Sequence, residues 1–175
     1  MRKVRININE YYHIYNRGNN KQNIFLDKRD WIRFLFLILH LQSPLVFINM
    51  SRPVSNFVKS SAFNISGEKL EKIIKNRYVE LMNFSMMPNH FHLIAHEMKG
   101  NGISQYMQRI LTAYSKYFNT KYKKSGHLFQ GPYKIVHIKN NEQLLHLSAY
   151  IHRNPREIKE WKNKEHEYPW SSYQD

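Results

Sequence analysis

Apolar positions recur along this chain with two periods, one near 2 and one near 3.6, and the switches between them outline the elements. Aromatic and branched residues fill Tyr11-Tyr12-His13-Ile14-Tyr15, and Asn16-Arg17-Gly18 follows, which predicts a strand ending in a turn. The apolar run 31–41 reads as a helix that Asp27 can cap and that stops near Gln42, before Ser43-Pro44. It is far shorter than the roughly 20 residues of a membrane span. It also contains Arg33, so it predicts a buried helix and no membrane association. Segment 43–76 has no sustained period: a short apolar piece at 45–48, a Ser/Asn-rich stretch and a short helical pattern over 68–75.

Two strands follow, 77–87 and 90–97, joined by a tight turn at Pro88-Asn89. Between 103 and 122, Ile103, Tyr106, Met107, Ile110, Leu111, Tyr114 and Phe118 recur at helical spacing, while Arg109, Lys116 and Lys123 form a second stripe seven residues apart. One face packs, and the other is available to phosphate. Gly126 breaks the pattern, 133–138 reads as a fourth strand, and Asn141 can cap a last helix running to about Arg153, which Pro155 ends. The order β-α-β-β-α-β with an added helix predicts a ferredoxin-like α+β sandwich, an antiparallel sheet with helices packed on it. The length supports one domain over 1–175, with 43–76 as an insertion-like segment and 156–175 as a tail.

The chemistry concentrates in two places. His90-Phe91-His92 lies in the second of the paired strands, where side chains two apart share a face and both imidazoles can reach one metal ion. Tyr150-Ile151-His152-Arg153-Asn154-Pro155 ends the last helical pattern, and its four-residue spacing puts a nucleophile and an amide ligand on one side. Charge indicates the partner. With 27 Lys plus Arg against 13 Asp plus Glu, the net charge of +14 favours a polyanion, whose neutralised phosphates release counterions. Twelve Tyr, ten Phe and three Trp add stacking surface suited to single strands. The absence of cysteine excludes disulfides, Cys-liganded zinc and a thiol nucleophile. The first residues lack the apolar stretch of a secretory signal, so a cytoplasmic protein is expected.

Four stretches together resemble a known family: Asn16-Arg17-Gly18; Met87-Pro88-Asn89-His90-Phe91-His92-Leu93; Tyr117-Phe118-Asn119 with Ser125-Gly126-His127-Leu128-Phe129-Gln130-Gly131; and Tyr150 to Pro155. They are similar to the REP-associated tyrosine transposases, members of the single-tyrosine HUH transposases, in which HUH denotes two histidines around an apolar residue. The resemblance covers nearly the whole chain apart from 43–76. It implies a ferredoxin-like fold and cleavage of single-stranded DNA beside hairpins through a 5′-phosphotyrosine intermediate, with Mg²⁺ or Mn²⁺ as cofactor. By the same resemblance His90, His92 and Asn154 are the metal ligands and Tyr150 the nucleophile. The partner implied is hairpin-flanked single-stranded DNA, and the protein would act as a monomer or homodimer. Pro132 stands where many relatives carry Arg after Gln-Gly, which removes one expected DNA contact.

Other assignments compete for the same residues. Tyr114, Tyr117 and Tyr122 are rival tyrosines, but none has an amide four positions on. His96 could complete an H-x-H-x-x-x-H zinc site if the strand stayed regular, and a zinc hydrolase would then need a carboxylate base. The nearest acid, Glu97, falls on the opposite face from His90 and His92. His13 and His137 could approach the site from neighbouring strands, but both read first as core histidines. Candidate DNA contacts are Arg17, Arg109, Lys116, Lys121, Lys123, Lys124 and Lys134. A nucleic-acid-binding protein of the same fold without turnover is the alternative function.

Overall fold

The computed structural model describes residues 4–173. Four strands, β1 (Tyr11–Arg17), β2 (Val79–Met87), β3 (His90–Glu97) and β4 (Lys134–Ile138), form an antiparallel sheet in the order β2-β3-β1-β4. Among the described residues there are five α-helices: α1 (Lys28–His40), α2 (Ser51–Ser60), α3 (Gly67–Lys75), α4 (Gly102–Tyr122) and α5 (Asn141–Arg153). With α1 and α4 as the crossovers, this is the split β-α-β arrangement of a ferredoxin-like sandwich. None of the helices is long and apolar enough to cross a membrane.

The period of 2 divides the sheet into two unlike faces. Tyr12 and Ile14 of β1 and Phe91, Leu93 and Ala95 of β3 are buried in the core, where α1 and α4 supply Phe34, Ile110 and Tyr114. Tyr11, His13, Tyr15 and Arg17 of β1 project from the other face, beside His90, His92, Ile94 and His96 of β3. This second face carries the candidate chemistry, and α5 lies across it. Leu144, Leu147 and Ile151 of α5 pack on Tyr11, Ile94 and Ile138, and Asn83 of β2 donates to Ser148 Oγ at 2.6 Å.

Helix ends follow their local signals. Asp27 and Asp30 form a capping box at α1. Glu97, on the core face as expected, accepts from the backbone N–H groups of Gly102 and Ile103 at 2.7 and 2.6 Å and so fixes the start of α4. Helix α5 is capped by Asn140, not Asn141: the Asn140 side chain accepts from Gln143 N at 2.8 Å, and Asn141 is already helical.

Segment 43–76 contains one more helix than its pattern suggested. Apart from Val54, the α2 side chains are exposed or only partly buried, so its apolar stripe is narrow, and Pro53 sits in the first turn, where proline is tolerated. Phe47 and Phe63 close around Phe36 and His40 of α1, which makes the segment an outer cover for that helix. After α5 the chain makes three short 3-10 turns and returns along the β2 edge. There Met86 N donates to Trp170 O at 2.9 Å and Ser172 N to Phe84 O at 3.0 Å, while Trp170 stacks on Trp31. This strap covers part of an edge strand that would otherwise present unpaired backbone groups.

Candidate functional site

His90 and His92 stand side by side at the start of β3, a strand paired on both sides, with ring centres 5.2 Å apart and planes at 90°. Each is held through Nδ1. His90 Nδ1 is 2.7 Å from Asn89 Oδ1, and His92 Nδ1 is 2.8 Å from His13 Nε2. Neither Nε2 has a hydrogen-bond partner among the described residues. Burial lowers the pKa of all three imidazoles, that of His92 to about 3 and that of His13 to about 4. All three rings are therefore neutral near pH 7, the state a metal ligand needs.

The turn before β3 is anchored by the first sequence motif. Gly18 N donates to Asn89 O at 2.8 Å, Ile24 N to Pro88 O at 2.8 Å, and Asn89 Nδ2 to Lys21 O at 3.3 Å. A Cβ on Gly18 would lie 2.1 Å from Gln22 O, so the close approach requires glycine although its φ of −60° does not. The Phe129-Gln130-Gly131 motif docks on the same strand end. Arg17 Nε donates to Gln130 Oε1 at 2.6 Å and Asn16 Nδ2 to Gly131 O at 3.2 Å.

Tyr150 projects from α5 and is 52% exposed, with its ring edge-on to His92 at a centre separation of 5.9 Å. Asn154 follows at the helix end with φ −52° and ψ −39°, still helical, so the four-residue spacing holds. Its side chain is 3% exposed, and its amide nitrogen is buried with no partner. Tyr150 and Asn154 border one hollow with Glu157, and Glu157 also borders a cleft of about 440 Å³ lined by His90, Tyr15, Arg17, Lys21 and Lys134.

The basic candidates separate sharply. Arg17 and Lys134 line this cleft, as does Lys21, which the sequence pattern did not single out. Lys116, Lys123 and Lys124 are exposed on α4 and just beyond it, in the layer behind the sheet. Arg109 and Lys121, read from the sequence as DNA contacts, are engaged inside the protein instead. Arg109 donates to the carbonyls of Leu41, Ser43 and Leu45 and to Tyr78 Oη, which ties the start of segment 43–76 to α4. Lys121 pairs with Asp27 and with the fully buried Asp30, at 2.7 and 2.6 Å. Burial opposes its charge, but these hydrogen bonds hold its pKa above the ordinary lysine value.

The rivals are distant or occupied. Tyr114 donates to Ile24 O, and Tyr117 and Tyr122 donate to Asp30, all in the core layer. His96 shares the face of His92 but lies about 13 Å along the strand, where it stacks on Tyr11 and meets Glu80. His137 is paired with Glu10. Two residues of β1 approach the pair: His13, weighed in the sequence as a residue that could reach the site but read as core, and Tyr15, which the sequence reading did not single out. His13 touches His92 directly, and Tyr15, opposite His92 in register, has its ring centre 5.6 Å from it. Their signal was only the alternation of β1, because contact depends on pairing across 79 positions.

Among the described residues no three His, Cys, Asp or Glu side chains gather to hold a metal, so a closed zinc site is absent. An open site still fits. Two rings that bind one ion through Nε2 at about 2.1 Å have centres roughly 4.5 to 5.2 Å apart, and the observed pair lies at the upper end of that range. Asn154 could ligate only through Oδ1; its unpartnered atom is Nδ2, a donor that cannot coordinate, and Glu157 borders the same hollow.

Comparison with known proteins gives the family and the fold. The family model described as "Transposase IS200 like" matches residues 41–154. A REP-associated tyrosine transposase solved bound to a REP hairpin superposes with a TM-score of 0.60 at 15% identity, covering 98% of this chain and 82% of that one, a likeness of fold. A protein from Deinococcus radiodurans R1 assigned as a transposase gives a TM-score of 0.42 at 13% identity, over 86% of this chain and 95% of that one, too loose to carry an argument. No curated protein matches the sequence.

Proposed function

Because this chain belongs to the IS200-like transposase family, we propose that it cuts and rejoins single-stranded DNA beside hairpins through a covalent bond to Tyr150. One observation carries the reading: a half-exposed phenol of α5 stands edge-on to His92, and the hollow it borders shares Glu157 with a basic cleft.

The reaction needs little else. The Tyr150 oxygen attacks phosphorus in line, the bond from phosphorus to the 3′ oxygen breaks, the phenol gives up its proton and the 3′ oxygen gains one. The products are a 5′-phosphotyrosine and a free 3′-hydroxyl. Attack by a 3′-hydroxyl on the phosphotyrosine reverses the sequence, so no nucleotide cofactor is required. Arg17, Lys21 and Lys134 hold the flanking phosphates in the cleft. His90, His92 and Asn154 would hold a divalent ion, Mg²⁺ or Mn²⁺, which supplies charge stabilisation at the phosphoryl oxygens when bound. The mixed nitrogen and oxygen set suits Mn²⁺ by ligand softness.

A labelled hairpin oligonucleotide incubated with protein and Mg²⁺ or Mn²⁺ and run on a denaturing gel tests the proposal. A nick close to the hairpin, with label retained on protein and lost in chelator, is expected. Undiminished cleavage in excess chelator would remove the metal, and binding without any cleavage would favour a non-catalytic DNA-binding protein.

A further inference from the structure

A histidine pair on a strand can bind one ion only if both rings present the right nitrogen. The hydrogen bonds at the other nitrogens decide this, because a neutral imidazole carries a proton on one side and a lone pair on the other. At His90 the choice is settled by the turn. Asn89 Nδ2 donates to the Lys21 carbonyl, so Asn89 Oδ1 is the end facing His90, and an amide oxygen can only accept. His90 must therefore carry its proton on Nδ1, with the lone pair on Nε2.

At His92 the partner is another imidazole, and the 2.8 Å contact between His13 Nε2 and His92 Nδ1 could run either way. Only one direction leaves His92 Nε2 able to bind metal. If His92 donates, its Nε2 holds a lone pair and His13 carries its own proton on Nδ1. If His13 donates, His92 Nε2 is protonated and closed to an ion. His13 is fixed in place by stacking on both Tyr15 and His92, at centre separations of 4.9 and 5.1 Å, so it is a rigid partner.

We propose that His13 and Asn89 are the positioning residues of the histidine pair, each accepting from Nδ1 and so holding both Nε2 lone pairs available to one divalent ion. This rests on the metal reading given above. It adds two residues, from β1 and from the β2–β3 turn, that act on the ion through the histidines they hold. It also explains the construction around Asn16-Arg17-Gly18: that motif and the 3-10 turn after it clamp Asn89 at its carbonyl and its amide nitrogen, leaving the oxygen directed at His90.

Two measurements on the full chain test it. Nitrogen-15 spectra of the metal-free protein report imidazole tautomers directly, and His13, His90 and His92 should all appear as the Nδ1–H form. Mn²⁺ titration followed by electron paramagnetic resonance should show His13→Ala and Asn89→Ala each losing about 10- to 100-fold in affinity. His13→Gln, which offers an acceptor near the former Nε2, should recover most of the loss, and His13→Phe, which keeps the stacking without an acceptor, should not. An Nε2–H tautomer at His92, or unchanged Mn²⁺ affinity in folded His13→Ala and His13→Phe, overturns the proposal. Wild-type protein that binds no Mn²⁺ overturns the metal reading, and this inference with it; that result is recognised before any variant is compared.

Discussion

At the scale of single residues, two tyrosines stand near His92, and the proposed nucleophile is one of them. Tyr150 is half exposed on α5, and Tyr15 is half buried beside the cleft. Tyr150→Phe removes one oxygen with little change in volume, so DNA binding should survive while the covalent adduct disappears. Tyr15→Phe should leave the adduct in place. Mass spectrometry of a trapped complex decides, and DNA found on Tyr15 would relocate the nucleophile. The legibility of these residues follows distance along the chain. His90 and His92 could be read because strand alternation is local, and Tyr150 and Asn154 because a helical turn is local. His13 could be read only as one of two histidines able to reach the site from a neighbouring strand, and Tyr15 not at all, since only the pairing of β1 with β3 brings them to His92. Nor could the inward turn of Arg109 and Lys121, whose partners lie 31–68 and 91–94 positions away.

Among the elements, the periodic ones matched their patterns to within a few residues, and the aperiodic segment yielded least. Helix α4 was legible because its buried stripe is continuous from Ile103 to Phe118. Helix α2 was not, because Val54 alone is fully buried on it. The start of segment 43–76 is held by a cation that sequence alone assigned to DNA. Arg109 satisfies three loop carbonyls and a buried tyrosine hydroxyl, and charge-assisted bonds of that kind leave costly vacancies when cut. Arg109→Ala should therefore cost about 3 kcal/mol, or roughly 6 to 12 °C in Tm for a chain of this size. Calorimetry tests this, and the DNA affinity of the folded variant should change little. A stable variant with weakened DNA binding would return Arg109 to the interface.

For the whole molecule, a charge of +14 produces steep salt dependence, but the structure assigns that charge unequally. For single strands the slope of log affinity against log salt is about −0.7 per phosphate neutralised, so five contacts would give roughly −3.5. Replacing Arg17, Lys21 and Lys134 by Ala should flatten the slope by about 2, as they line the cleft. Replacing Lys116, Lys123 and Lys124, behind the sheet, should flatten it less. Fluorescence anisotropy over a salt series distinguishes the two triples, and equal effects would place the strand across both layers. The sheet order has one further consequence, for a chain still being synthesised. β1 and β3 are central in the sheet and both precede residue 98, so the sequence of the histidine pair is complete before α4 and α5 are made. α5 and the strap on β2 come last, so a nascent or prematurely terminated product carries the histidines without Tyr150. On the proposed mechanism a product that stops before α5 lacks the group that would break DNA, so the histidine pair is encoded ahead of the nucleophile it would serve.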